Sequence, residues 1–409
     1  MLSKAKKIMG MGWRFLQYVR RNGFSAGIQK LKSHALWQRR SLIGIDNIRQ
    51  KRAFYNPFEL VYQYARQSDA ENFQSILACK QVAIGCASGG NFFMHEISKL
   101  LSCAFHEMGI KVIHFNENQV VEAVQADLTI VVAPHEFFIL GDGRALLGKL
   151  AMAKKLVMLN TEQAQTQWFA NALPYLEHAD FIWDMNYQSA VLLRANHLPA
   201  YFLPLGYSLN YQTKLASTQA LKRSLPLMSL SQAVTSTIED QDYSKRPIDV
   251  LFVGTISEKR RQFFAQHAGC FAAFECFFYL PEGNQPFNEN EDRTLDFQQL
   301  AGLARRSKIL INIHRDTANY LEWQRIVNLG VFCGTLVISE TCDSSPALVP
   351  GLDYIDVPLE LLAQTCNHYL SDLKASQAFV ERATAHLTSQ QKLSQTLTFL
   401  LTDMMQETK

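Results

Sequence analysis

Residues 249–261 read DVLFVGTISEKRR, an apolar strand running into a glycine turn and then into a helix start rich in cations. A parallel strand covered on both faces is a short continuous apolar run, and Val250-Leu251-Phe252-Val253 is one. Gly254 permits a tight turn with close backbone approach. Lys259, Arg260 and Arg261 follow where an anion would meet a helix N-terminus together with fixed positive charge. The stretch therefore predicts a βα unit able to handle phosphate.

Apolar runs alternate with amphipathic segments on both sides of it, as parallel α/β architecture requires. Upstream, the pattern predicts strands at 81–87, 111–115, 128–133, 155–159, 180–183 and 200–203. Helices are expected between them at 95–108, 120–125, 163–178 and 187–197. Residues 209–247 are rich in Ser, Thr and Gln, carry Pro226 and Pro247, and read as a connector. From Asp249 a second unit is expected, with strands at 249–253, 273–279, 308–313, 335–339 and 354–357. Its helices fall near 259–267, 296–306, 320–332 and 359–373, and one long amphipathic helix over 376–405 closes the chain.

With 409 residues, 48% of them hydrophobic, the chain can bury two cores. It contains no run of eighteen apolar residues and no cleavable leader pattern at its start. Eight cysteines without CxxC or zinc-ligand spacing predict neither a disulfide framework nor a structural metal, and a reducing, cytoplasmic setting. The net charge of +3 conceals an asymmetry. Residues 1–60 hold thirteen Lys or Arg against Asp46 and Glu59, or +11, which leaves −8 on the rest. Met9, Trp13, Leu16 and Phe24 recur among these cations at near-helical spacing. Such a segment suits the anionic inner face of a membrane, or packs on the body with its cations outward. Nucleic acid is not expected, because no helix-turn-helix, RNP or zinc-finger pattern accompanies the charge.

Two Rossmann-like units, a connector and a closing helix resemble the GT-B architecture of nucleotide-sugar-dependent glycosyltransferases, bacterial members in particular. DVLFVGTISEKRR resembles the opening of their C-terminal domain. SKILINIHRDTANYLEWQRIVNLGVFCGTLVISE, residues 307–340, is similar to their donor-site segment. LNTEQAQTQWF at 159–169 and HADFIWDMNYQSAVLL at 178–193, followed by FLPLGY, resemble their N-terminal domain and crossover. The fold class this implies is α/β, two Rossmann-like domains facing across a cleft, with a basic helical extension and a long C-terminal helix. The boundaries expected are 1–79 for the extension, 80–208 for the acceptor domain, 209–247 for the connector, 248–375 for the donor domain and 376–409 for the helix.

The resemblance implies sugar transfer from a nucleotide-diphosphate sugar, a co-substrate and not a cofactor, without a bound metal. The acceptor expected is a glycan or lipid-linked glycan, in envelope polysaccharide synthesis. Donor contacts are expected from Gly254, Arg260, Arg261, His314, Arg315, Glu322, Arg325 and Glu340, with Lys259 a weaker candidate. An arginine suits a diphosphate because its planar fork makes two charge-assisted hydrogen bonds, and a carboxylate accepts from sugar hydroxyls. Glu322 and Arg325 equally form an intrahelical ion pair. One departure stands out. Many retaining members carry a second glutamate where this chain has Leu329, so stereochemistry is not inferred, and Glu340 is a substitute carboxylate. On the acceptor side, His135 and Glu136 are the catalytic candidates, since they follow the 128–133 strand at once and histidine accepts a proton near neutral pH. Gly89, Gly90, His95, Glu96 and Glu162 are expected to line the acceptor site. A non-catalytic nucleotide- or glycan-binding scaffold and a nucleotide-sugar epimerase are the alternatives.

Overall fold

The computed structural model describes residues 79–119, 123–140, 142–216, 242–281 and 295–406. Residues 1–78 of the expected extension and most of the connector lie outside them, as do residues 120–122 of the helix expected at 120–125. Two parallel sheets are built from the predicted apolar runs. The first contains β1 (Gln81–Gly85), β2 (Lys111–Phe115), β3 (Leu128–Val132), β4 (Leu156–Asn160), β5 (Phe181–Asp184) and β6 (Ala200–Phe202) in the order β2-β1-β3-β4-β5-β6. The second contains β7 (Ile248–Val253), β8 (Cys276–Tyr279), β9 (Ser307–Asn312), β10 (Leu336–Glu340) and β11 (Ile355–Val357) in the order β11-β10-β9-β7-β8. β3 and β4 are buried at every position, which is why they are unbroken apolar runs rather than alternating ones. The fold is two Rossmann-like domains in series, as the GT-B architecture has them.

Strand order locates the ligand crevices. In the first sheet the direction of winding reverses between β1 and β3, and in the second between β7 and β9. At such switch points the loops beyond the strands' carboxyl ends part and leave a crevice. The loops concerned are 86–91 and 133–136 in one domain, 254–257 and 313–315 in the other.

Several ties join the two domains. The Trp323 indole N–H donates to Leu205 O, the Gln188 amide to Ser344 O at 2.5 Å, and Arg305 to Leu215 O at 2.5 Å. The last helix, Leu393–Gln406, returns to the first domain, packing on the helix Phe92–Glu107 and receiving the Trp183 N–H on Met404 Sδ at 3.3 Å.

Two helices differ from expectation. The closing segment is two helices, Leu373–Gln390 and Leu393–Gln406, not one. The break lets Gln391 and Leu393 pair with Tyr207: Tyr207 N–H donates to Gln391 O at 2.5 Å and Leu393 N–H to Tyr207 O at 2.8 Å. A Cβ on Gly206 would run into Gln391 O, so the crossing needs glycine there. The ordinary helix expected over 320–332 is a π-helix, Gln324–Gly330, followed by a 3₁₀ turn, Val331–Cys333. Its start is fixed by Trp323, fully buried and bonded to Leu205 O, so Glu322 lies just ahead of the helix. π-Helical turns are rare and gather at functional sites.

Candidate functional site

The second domain presents a cationic crevice. Phe252, at the end of β7, forms its floor, with the Arg260 guanidinium 5.3 Å and the Arg325 guanidinium 5.7 Å from its ring centroid. Gly254 makes room for this: a Cβ there would stand 2.9 Å from Arg260 Nη1. Arg260 is only 1% exposed, and it crosses the switch point to donate from Nε and Nη2 to Ile313 O at 3.0 and 2.7 Å, and from Nη1 to Thr255 O at 2.6 Å. These bonds tie the β7 and β9 loops together. Burial, then the nearby Arg325 charge, pushes its pKa down to about 10, so it stays cationic at neutral pH.

Arg325 donates to Asn312 Oδ1 at 2.5 Å and lies 3.6 Å from Glu322 Oε1. Burial alone would raise the Glu322 carboxyl, yet Arg325, Arg260 and His314, with a hydrogen bond from Tyr320, hold it below the usual carboxylate range. Tyr320 is correspondingly pushed up, chiefly by the Glu322 charge and then by burial. His314 is wholly buried; its Nε2 lies 3.0 Å from Thr341 O, and its Nδ1 has no partner among the described residues. A carbonyl only accepts, so Nε2 carries a proton.

The remaining donor-side candidates divide. Arg315 is exposed beyond β9 and electrostatically coupled to Arg260. Arg261 is exposed on the helix Glu258–Phe271, 3.9 Å from Glu258. Glu340 has both oxygens engaged, one with Lys259 Nζ at 2.5 Å and one with the His314 N–H at 3.0 Å. Leu329 is core. The structure thus gathers Gly254, Arg260, His314, Glu322 and Arg325, with Arg315 at the rim, and leaves Arg261 outside.

The first domain's crevice is lined by carboxyl groups raised by burial. Ala133, at the end of β3, has φ 51 and ψ 70, a left-handed conformation that costs a non-glycine residue about 1–2 kcal/mol. That bend swings Pro134-His135-Glu136 into a short helix at the sheet's edge. Glu136 accepts the Asn91 N–H at 2.9 Å and presses on Gly90, where a Cβ would stand 2.7 Å from Glu136 Oε2. His135 Nε2 lies 3.4 Å from Glu162 Oε1 and 3.9 Å from Glu136 Oε1. With no cation to offset burial, the proton affinities invert. Burial pushes His135 down to about 4. It pushes Glu136 up to about 7, partly offset by the Asn91 N–H. Burial, then the charges of Glu136 and of Glu322 across the cleft, pushes Glu162 up to about 8. At neutral pH the proton therefore stays on Glu162, and the neutral His135 ring 3.4 Å away can meet it only as a hydrogen-bond acceptor.

Other acceptor-side candidates lie further out. Gly89 is exposed with open space about it. His95 is near enough to affect Glu117, which binds Ser88. Glu96 accepts the Tyr211 hydroxyl at 2.8 Å and Lys99 at 2.7 Å, holding the connector helix Leu209–Ala216 against the domain. Sequence reasoning passed over Asn91 and Tyr320, although each stands within two residues of a predicted candidate. It also passed over Asp184, which ends β5, bonds Asn160 Nδ2 at 2.8 Å, and is driven well above the carboxylate range by burial.

Among the described residues no group of three or more His, Cys, Asp or Glu is placed to hold a metal ion, and no helix is long and apolar enough to cross a membrane. All eight cysteines are free. No protein-family model matches the chain, and no curated protein matches it in sequence. Solved structures similar to it include a UDP-forming α,α-trehalose-phosphate synthase from Burkholderia xenovorans, at 12% identity, covering 81% of this chain and 100% of that one, with a TM-score of 0.48. An α-glucosyltransferase in complex with UDP and a 13-mer DNA containing a HMU base is similar at 11% identity, 76% and 95% coverage, and a TM-score of 0.48. HepE from Anabaena, in complex with UDP-glucose, is similar at 12% identity, 80% and 99% coverage, and a TM-score of 0.45. Likenesses this distant do not say which residues act, or on what.

Proposed function

We propose that the protein is a glycosyltransferase that moves a sugar from a nucleotide-diphosphate sugar, held by the second domain, to a hydroxyl held by the first. The observation that carries this reading is a pair of facing crevices of opposite chemistry: Arg325, Arg260 and an ionised Glu322 at one switch point, and the pair His135–Glu162 beside the other. Arg325 and Arg315 bind the leaving diphosphate, and Arg260 fixes the loops that position them. Charge-assisted contacts aimed at a leaving diphosphate are the kind that stabilise such a transition state, and no metal is invoked. Glu322 accepts from hydroxyls of the donor. Glu162, once ionised, takes the proton of the attacking hydroxyl; burial and the Glu136 and Glu322 charges set its proton affinity.

The acceptor in this reading is a glycan or lipid-linked glycan of an envelope polysaccharide. Residues 1–60, at +11, would hold the enzyme to an anionic cytoplasmic membrane surface. Incubating the protein with UDP-, GDP-, dTDP- and CMP-sugars tests the chemistry: release of nucleotide supports transfer, an isomerised sugar makes it an epimerase, and binding without turnover makes it a scaffold. Deleting residues 1–40 should abolish sedimentation with phosphatidylserine vesicles, and unchanged sedimentation removes the membrane role.

A further inference from the structure

Trp168 opens the helix Gln167–Leu176, just beyond the carboxyl end of β4, and is 44% exposed. A single exposed aromatic needs no explanation in itself. Its surroundings are what call for one. Its ring centroid lies 5.9 Å from that of His135, whose Nε2 is 3.4 Å from Glu162. Two buried polar atoms, Nδ1 of His135 and Oγ1 of Thr161, the residue before Glu162, have no hydrogen-bond partner among the described residues. Leaving such a group unpaired costs about 1–3 kcal/mol, so each is suited to a partner from outside the described residues.

A flat aromatic face beside several unmet hydrogen-bonding groups is the complement of a pyranose. One face of that ring is lined with weakly positive C–H groups, which sit well on the negative face of an indole, and its rim is a ring of hydroxyls. An acyl or prenyl chain would cover Trp168 but leave Thr161, His135 and the carboxylates unpaired. A nucleobase would stack, yet its few edge groups lie in one plane, parallel to the indole and away from polar atoms set at different depths.

From this geometry we infer that Trp168 is the platform for a sugar ring of the acceptor, and that Thr161, His135 and Glu162 receive that ring's hydroxyls, one of which is the nucleophile. The inference rests on the transferase reading and adds to it the surface on which the acceptor's sugar ring lies.

The experiment has two arms on the full-length protein. In the first, tryptophan emission is titrated, with UDP present, with neutral oligosaccharides of glucose, galactose, mannose and N-acetylglucosamine, with undecaprenyl phosphate, and with thymidine. Saturable quenching by at least one oligosaccharide, lost in Trp168→Ala, is the expected result. Quenching only by the lipid or the nucleoside, or quenching that persists in Trp168→Ala, overturns the inference. In the second arm, Trp168→Ala should raise KM for the saccharide acceptor roughly five- to tenfold, and more than it raises the donor KM, with partial recovery in Trp168→Phe. Equal acceptor KM in all three proteins overturns it. A wild-type protein that turns over no nucleotide sugar removes the transferase reading instead, and the emission titration then decides the saccharide site alone.

Discussion

Glu322, just ahead of the π-helix of one domain, and Glu162, just past β4 of the other, are close enough for one charge to affect the other, yet their proton affinities move in opposite directions. Burial raises both. Glu322 has Arg325, Arg260 and His314 to outweigh it and stays ionised. Glu162 is pushed further the same way by the charges of Glu136 and Glu322, up to about 8. The two crevices occupy equivalent places in two sheets of the same topology. Topology therefore provided the position twice, and the neighbouring side chains made one site an anion receptor and the other a proton acceptor. Carboxylates driven apart in this way are the mark of divided roles in one reaction.

The most severe way to break the comparison is to remove the proton acceptor. Glu162→Gln should lower kcat for transfer by roughly 10²–10⁴-fold with little change in donor KM, as initial rates against donor concentration would report. A loss confined to KM would instead make Glu162 a binding residue. Arg325→Ala attacks the other crevice. Donor binding should weaken by roughly 10–100-fold, as for a lost charge-assisted contact, and Arg325→Lys should recover only part of it. Lys4→Ala is the control, and equal donor affinity in both variants would take Arg325 out of the site.

A pH profile sharpens the contrast. If Glu162 must be ionised to accept the proton, kcat/KM should rise with pH and level off above about 8. Replacing Glu136 with Gln removes a like charge and should move that limb to lower pH. A limb that stays in place uncouples the two residues. The smallest effect concerns stability. Because the folded-state pKa of Glu162 is raised, its contribution is fully present below about pH 4.5 and is lost as pH rises through about 8. Glu162→Gln should therefore melt progressively higher than wild type as pH goes from 5 to 9. A gap independent of pH would mean that the carboxyl is not buried in solution.

Much of this was legible in the chain. Val250–Val253 and Ile309–Ile311 announced buried strands, and the residues just past them, Gly254 and His314 among them, stand at the crevice. The roles within the crevice were not legible. Arg260 looked like a phosphate ligand but donates to the backbone carbonyl of Ile313, fifty-three residues away. Glu340 looked like a free carboxylate and is paired to Lys259 from the helix after β7. Glu96 looked like a lining residue and anchors Tyr211 from the connector. Each partner is distant along the chain, and no local pattern encodes it. Trp168 gave no signal at all, because an aromatic in the first turn of an amphipathic helix reads as core until its exposure is known.

By itself the sequence determined two parallel α/β units, a cation-rich turn after one strand, and a histidine–glutamate step after another. Those depend on periods of a few residues and on the conformational habits of glycine and proline. The tertiary structure decided which cations remain open to a ligand, which carboxylate stays ionised, and which aromatic faces solvent. Charge state and accessibility depend on what is packed within a few ångströms, and across this cleft the neighbours come from opposite halves of the chain.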